Sequence, residues 1–185
     1  MPTQNAYPDG DVDVGTWSDH STGTSNIYTA VDEAGTANDS DFIVTADLGM
    51  GSTSANTVKF SLGNTVTDPG EDPGHKIIYR ARLSNGDGRP LTVGLYEGST
   101  PISTAVTGTG LPALTGSFVT RTFTIPDADA NNIGTYNNLQ IWLTAAAADN
   151  DDEVQVSQVY FEHVPTPAIK LSGVAAKAHL LGMFD

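Results

Sequence analysis

Residues 75–83 read His-Lys-Ile-Ile-Tyr-Arg-Ala-Arg-Leu, and this stretch decides the fold class. Ile77, Tyr79, Ala81 and Leu83 fall on one side of the alternation, and Lys76, Ile78, Arg80 and Arg82 fall on the other. Successive side chains of a β-strand point to opposite faces of the sheet, so this pattern predicts a strand with one buried face and one basic face.

The same short alternation recurs along the chain, with turn residues every 8–14 positions. Such spacing is typical of a sandwich or barrel. We therefore predict an all-β, jelly-roll-like antiparallel β-sandwich of about ten strands, followed by a short extended or helical C-terminal tail. The predicted strands are 14–18, 26–31, 41–48, 57–62, 75–83, 91–96, 102–106, 118–125, 139–145 and 154–163.

Finer features of these segments can also be predicted. Leu139, Ile141 and Leu143 should point inward, and the alternation slips near Ser157, which indicates a β-bulge. A short helix is expected over residues 127–133, with Asp127 as its cap. Phe42 is expected to share one side of its strand with Val44, Ala46 and Leu48. Trp17 and Tyr28 are expected to be core residues. Arg121 is expected near a strand end, where its side chain reaches solvent or a carboxylate.

Three regions can be delimited from composition. Residues 1–12 are expected to form an N-terminal arm, residues 13–164 the sandwich domain, and residues 165–185 a linker and attachment tail. The linker contains Pro165-Thr166-Pro167, which favours a stiff extended chain. In the tail, Val174, Ala178, Leu181 and Phe184 would form one apolar stripe if the segment were helical. The tail either packs on its own domain, stays disordered, or docks on a neighbouring subunit.

Charge and composition restrict the classes of partner. The 185 residues include 22 acidic and 8 basic ones, a formal net charge of −14, which repels nucleic acid and anionic lipid. There is no cysteine, so neither disulfides nor zinc–thiolate sites are expected. No apolar run reaches the ~18–20 residues of a membrane span, and the N-terminal residues do not resemble a secretory signal. We expect a protein made and used without export.

Several segments, taken in order, match a known pattern. From Val14 to Pro165 the chain resembles a β-sandwich domain that recurs in structural proteins of tailed-phage virions and prophages. This resemblance implies a virion protein that acts in capsid decoration, in a head fibre or in the tail, without catalytic residues. The matching segments are Asp13-Val14-Gly15-Thr16-Trp17, residues 27–33, 39–43, 72–82, 91–98 and 132–139, and Tyr160-Phe161-Glu162.

Motifs for metal binding and catalysis are weak. Asp9, Asp11 and Asp13 alternate as in an EF-hand loop, but Val14 and His20 occupy the positions where that loop needs Gly and Glu. A looser calcium site at these aspartates, or at the acidic cluster 149–153, stays open, and solvated turns are the alternative. No Gly-x-Ser-x-Gly elbow or Walker pattern occurs, so we expect no enzyme and no cofactor. A hydrolase with two carboxylates brought together only by folding stays an alternative.

Two surfaces are candidate contact sites. Lys76, Arg80 and Arg82 share a strand face and would pair either with carboxylates of the same domain or with an acidic patch on a partner. Trp142 and Tyr96 are out of phase with their apolar neighbours. They should therefore point away from the core as a sugar-binding platform, unless they pack under a loop or against the second sheet.

The function we predict is that of a non-enzymatic virion structural protein, which would act through protein–protein contacts. Its partners would be a capsid or tail protein of the same virion and further copies of itself, in a particle assembled in the host cytoplasm. The alternative is a carbohydrate-binding or adhesion module, for which a host glycan would be the partner.

Overall fold

Alternating burial along most strands confirms the all-β prediction. The computed structural model describes residues 4–46, 56–63, 74–85, 89–146 and 152–163. Two antiparallel sheets pack face to face, and all of the strand pairs are antiparallel. The strands are β1 (Gln4–Ala6), β2 (Pro8–Asp13), β3 (Trp17–Asp19), β4 (Ile43–Thr45), β5 (Asn56–Leu62), β6 (Lys76–Leu83), β7 (Leu91–Glu97), β8 (Thr100–Val106), β9 (Val119–Thr124), β10 (Leu139–Ala145) and β11 (Val154–His163).

The strand order places distant segments side by side. One sheet has five strands in the order β2-β5-β10-β7-β8. The other has six, in the order β3-β4-β11-β6-β9, with β1 pairing the end of β11. The predicted bulge is present, because the pairing of β11 with β6 shifts register between Val156 and Gln158.

The inner faces of the two sheets form the core. In the five-stranded sheet the predicted inward residues of β10 are buried, as are Val58, Phe60 and Leu62 of β5. Phe161 and Trp17 are fully buried opposite them, and the Trp17 Nε1 donates a hydrogen bond to the Asn56 carbonyl at 3.2 Å. Trp17 is therefore a core residue as predicted, whereas Tyr28 is half-buried and packs against the core. Burial of this apolar area is the dominant stabilising term in such a sandwich.

Residues 1–12, predicted as an arm, contain β1 and most of β2. Both strands are hydrogen-bonded into the sheets: β1 to β11 and β2 to β5. The described part of this segment, residues 4–12, is therefore part of the sandwich. The linker and tail, residues 165–185, lie outside the described residues.

The predicted strand over residues 26–31 is wrong. Residues Ile27–Ala30 form a 3-10 helix, preceded by Asn26 in the left-handed region at φ 54°. The Asp11 carboxylate accepts hydrogen bonds from the backbone N–H groups of Ile27 and Tyr28, both at 2.9 Å. A partner 16 residues earlier in the chain thus satisfies the free N–H groups of a helix start, which local alternation does not reveal.

Three smaller predictions need correction. The helix at 127–133 is shorter, Asp127–Ala130, and Pro126 rather than Asp127 holds the cap position, without a side-chain hydrogen bond. In β4 the core side belongs to Ile43 and Thr45, while Phe42 and Val44 are half-buried on the outer side. Leu48 lies outside the described residues.

Arg121 is buried, contrary to the expectation that it reaches solvent or a carboxylate. It is only 7% exposed, and its guanidinium donates to the backbone carbonyls of Ala81, Val119 and Ala113 at 2.8–3.0 Å. The sequence could not show this, because the carbonyl acceptors come from a loop and two strands that meet only in the folded chain.

Candidate functional site

The outer face of the five-stranded sheet carries a stacked aromatic pair. Trp142 of β10 and Tyr96 of β7 have ring centroids 3.9 Å apart and planes that differ by 10°. Both side chains are half-buried and point away from the core, as their phase predicts. Of the alternatives left open by the sequence, packing against the second sheet is thereby excluded.

A glycine makes room for this pair. Gly94 lies directly opposite Trp142 in the β7–β10 register, and the Tyr96 ring leans over it. A Cβ atom at position 94 would come within 2.7 Å of Tyr96 Cε2 and 2.9 Å of Thr104 Cγ2. A glycine inside a strand often marks such a close approach, so this signal was available in the sequence.

Polar groups surround the aromatic pair. Lys59 of β5 lies opposite Trp142, with its Nζ 4.5 Å from the indole centroid, and also donates to Asp13 Oδ2 at 2.8 Å. The hydrogen bond from Lys59, followed by one from the Gly15 N–H, holds the pKa of the Asp13 carboxyl below its usual value. The Trp142 Nε1 donates to Gln140 Oε1 at 2.9 Å. Cationic, anionic and amide groups therefore flank one aromatic surface. We call the surface formed by Trp142, Tyr96, Lys59, Asp13 and Gln140 the aromatic face.

The basic stripe on β6, formed by Lys76, Arg80 and Arg82, contacts side chains of the same domain. Lys76 lies 3.2 Å from Glu162, and Arg82 donates to Gln155 Oε1 at 2.7 Å. Arg80 makes a two-pronged contact with Asp39, in which Nε and Nη2 each lie 2.6 Å from a carboxylate oxygen. Lys76 and Arg80 thus pair with carboxylates of the same domain, whereas the partner of Arg82 is an amide. Contact of the stripe with an acidic patch on a partner stays a prediction.

The outer side of the six-stranded sheet also bears a pocket of about 340 Å³. Residues 35–37 form one wall, and β6, β9 and β11 supply Arg80, Thr120, Gln158 and Tyr160. Beside it, Arg82 lies over the Phe118 ring at 4.4 Å. This pocket could not be predicted from the sequence, because its wall is a loop without an alternation of apolar and polar residues.

The predicted calcium ligands do not converge. The Asp9 carboxylate accepts a hydrogen bond from the Ser61 hydroxyl at 2.6 Å. The Asp11 carboxylate accepts one from the Ile27 N–H, and the Asp13 carboxylate accepts one from the Lys59 ammonium group. Each carboxylate is thus engaged with a different protein donor. Of the second candidate cluster, residues 149–151 lie outside the described residues.

A different group has the composition of a metal site. Within the described part of the chain, Asp19, His20 and Asp41 bring ligand atoms within 4.8 Å of one another. Asp19 Oδ1 already accepts from the Ser21 N–H, the Ser21 hydroxyl and the Thr22 N–H, at 2.6–3.0 Å. These contacts explain the position of the Asp19 carboxylate without a cation.

Two histidines are buried at the end of the sandwich where β1 meets β11. His75 Nε2 lies 2.7 Å from the Tyr136 hydroxyl, and His163 Nε2 lies 3.1 Å from Gln4 Oε1. The two imidazole centroids are 5.7 Å apart. Burial, and then the neighbouring His75, lower the pKa of His163. This cluster ties the first strand to the last.

Four residues of the predicted apolar stripe, Val174, Ala178, Leu181 and Phe184, lie outside the described residues, so their role as a docking surface stays a prediction. Among the described residues, no helix combines the length and the apolar character that a membrane crossing requires.

Comparisons with known proteins show the fold. No family model and no curated protein matches the chain. Among solved structures, an arabinose-bound GH51 α-L-arabinofuranosidase matches at a TM-score of 0.51 and 12% identity, over 80% of this chain. This chain spans only 23% of that enzyme. The likeness is therefore to one part of a larger protein, and at this identity it concerns the fold.

Two carbohydrate-binding modules match over most of both chains. The xylan-binding module CBM15 matches at a TM-score of 0.45 and 15% identity, covering 83% of this chain and 94% of that one. A CBM4 module matches at a TM-score of 0.44 and 13% identity, covering 88% of this chain and 86% of that one.

Proposed function

We propose that this protein is a non-enzymatic glycan-binding β-sandwich that uses the aromatic face. The observation that carries the proposal is the Trp142–Tyr96 stack on the outer side of the five-stranded sheet, with Lys59, Asp13 and Gln140 beside it. This was the alternative function drawn from the sequence, and the geometry favours it over the virion role.

The chemistry of the aromatic face suits a sugar. A pyranose ring presents apolar C–H groups on its faces and hydroxyls at its rim, so its receptor needs an aromatic surface with donors and acceptors beside it. Because the two rings stack, one face of Trp142 and one face of Tyr96 are covered, and Lys59 lies over the indole. A glycan would therefore lie along the solvent-side edges of the stack, with the Lys59–Asp13 pair and Gln140 binding its hydroxyls.

The charge of the protein favours a neutral glycan. The chain carries a net charge of −14, and the lysine of the aromatic face is already paired with Asp13. A polyanionic glycan would be repelled over the distances at which charge acts in dilute salt.

The absence of catalysis is part of the proposal. A glycosidase needs two carboxyl groups facing each other across the scissile bond. Among the described residues, no carboxylate lines the 340 Å³ pocket, and none lines a second pocket of about 260 Å³ near Arg89 and Leu114.

The test is binding of the full chain to an array of neutral plant, bacterial and animal glycans. We expect Trp142→Ala to weaken binding by about tenfold or more, as loss of an aromatic contact residue does. Phe118→Ala is the matched control, because Phe118 is also half-buried on an outer sheet face under a cation, Arg82. Equal loss in both variants, or no glycan bound by the wild-type protein, would remove the proposal.

A second candidate is the virion structural role. It is supported by the resemblance of residues 14–165 to the phage sandwich domain. In this role the domain would contact a capsid or tail protein, assemble as a homo-oligomer and attach through residues 165–185. A virion protein that binds host glycans would combine both functions.

Solution mass separates the virion role from a stand-alone module. The full chain is compared with a version that ends at Pro165. An oligomer that becomes monomeric on truncation supports assembly through the tail. Two monomers of equal stability would count against it.

A further inference from the structure

The pocket on the outer side of the six-stranded sheet has a rigid wall. Gln158 Nε2 donates to the carbonyls of Glu33 at 2.7 Å and Gly35 at 3.4 Å, which fixes the beginning of the wall. Arg80 and the Ser157 hydroxyl both bind Asp39, which fixes its end. Residues 35–37 are thus held from both sides above the sheet, so the pocket exists before any ligand arrives. Preorganised walls lower the cost of binding.

The floor of the pocket offers polar groups with spare capacity. Among the described residues, Arg80 uses three of its five N–H donors, two on Asp39 and one on Thr120 Oγ1 at 3.3 Å. The Tyr160 hydroxyl makes no hydrogen bond to the described residues, and its ring is half-buried beside Tyr7. Donors, a hydroxyl and one aromatic ring therefore line the same small space.

The charge balance points to a neutral ligand. Asp39 neutralises Arg80 through the two-pronged contact, and no other charged side chain of the described part of the chain lines the pocket. An anionic ligand would have to compete with Asp39 for the guanidinium. Hydroxyl groups, in contrast, can accept from the remaining Arg80 donors without disturbing the pair.

We propose that the pocket formed by residues 35–37, Arg80, Thr120, Gln158 and Tyr160 is a second saccharide site, which binds one neutral mono- or disaccharide. Its volume lies at the small end of the range for ligand pockets, which suits a short sugar rather than a long chain. The site lies on the opposite sheet from the aromatic face and does not depend on it.

The experiment is a titration of the ¹⁵N-labelled full chain with xylobiose, cellobiose, lactose and galacturonic acid, followed by NMR. We expect at least one neutral disaccharide to shift the amide signals of residues 35–37, Thr120 and Tyr160. Tyr160→Phe, which removes only the hydroxyl, should weaken that binding by up to about tenfold.

A pair of variants on β9 isolates the pocket. Thr120→Trp fills it and should abolish these shifts. Thr122→Trp is the matched control, since Thr122 is exposed on the same face of the same strand but does not line the pocket. Trp142→Ala should leave these shifts unchanged while it weakens binding at the aromatic face.

Three results would overturn the second site. The first is that no neutral sugar of the panel shifts the signals of residues 35–37. The second is that Thr120→Trp and Thr122→Trp behave alike. The third is that only galacturonic acid binds there. Shifts confined to residues around Trp142 would refute the pocket and leave the aromatic face standing.

Discussion

Arg80 and Asp39 are joined through two hydrogen bonds of 2.6 Å each, one from Nε and one from Nη2. The contact connects β6 to the loop that precedes β4, and Ser157 of β11 binds the same carboxylate at 3.0 Å. A single aspartate thus fixes a loop to two central strands. The hydrogen bonds from Arg80 and from Ser157 lower the pKa of Asp39.

We expect Asp39→Asn to destabilise the protein by about 1 kcal/mol, because both partners are partly exposed and surface ion pairs contribute little individually. Denaturant unfolding of the single variants Asp39→Asn and Arg80→Met and of the double variant measures the coupling. A coupling energy of zero would show that the loop is held by its other contacts. Since the pKa of Asp39 is lowered on folding, its contribution should be present at neutral pH and be lost as the pH falls into the acid range.

Gly94→Ala should separate Tyr96 from Trp142. The new methyl would lie 2.7 Å from Tyr96 Cε2, so the tyrosine ring must rotate away. We expect a loss of stability of about 1–3 kcal/mol and a change in the near-UV circular dichroism and fluorescence of tryptophan. Thr92→Ala, on the same strand and face, is the control, and its spectra should match those of the wild type. Unchanged spectra in Gly94→Ala would contradict the stacking.

Glu33 should make stability depend on pH. Burial, together with the nearby carboxylates of Asp41 and Asp32, raises its pKa to about 7. Between the ordinary value and about 7, the folded state therefore binds more protons than the unfolded state. The free energy of unfolding should fall as the pH rises through this window, with a slope of at most ~1.4 kcal/mol per pH unit, the value for one full proton.

Glu33→Gln should flatten that slope and raise the melting temperature at pH 7 to 8. Glu153→Gln, just before the first residue of β11, serves as the control for removing one negative charge. Equal effects of the two variants would show that the net charge, and not the buried position of Glu33, governs the pH dependence.

His163 should make the free energy of unfolding depend on pH in the opposite direction. Its pKa is lowered, mainly by burial, so below its ordinary value of about 6.5 the unfolded state binds more protons. The free energy of unfolding should therefore fall as the pH is lowered below about 6.5. His163→Gln should reduce this dependence, and the variant is compared with the wild-type protein. Thermal unfolding between pH 5 and 8 measures both, and an acid-side slope that survives in His163→Gln would assign the effect to another group.

Arg121→Lys should lower the free energy of unfolding by about 1–3 kcal/mol. The guanidinium serves carbonyls on three segments, and an ammonium group cannot bind all three, so buried acceptors would be left without donors. Urea unfolding measures the loss. Arg82→Lys, on a half-buried arginine of the neighbouring strand, is the control and should change stability by less than about 1 kcal/mol.

Parts of the candidate sites could be predicted from the sequence. The outward direction of Trp142 and Tyr96 follows from strand alternation alone, because Ile141 and Leu143 must face the core. Their contact with each other does not follow, since it depends on the β7–β10 register and on the space above Gly94. The pocket beneath residues 35–37 was not predicted, because its members come from one loop and three strands.

The sequence by itself determined the fold class, most of the strands and the bulge near Ser157, because the period of two between apolar side chains is a local property. Only the tertiary structure decided that residues 27–30 form a 3-10 helix and that Arg121 is buried. It also decided which carboxylates pair with the basic stripe. The physical reason is the same in each case: the partner that satisfies a backbone or charged group, such as Asp11 for Ile27 or Asp39 for Arg80, is distant in the chain and is brought near only by folding.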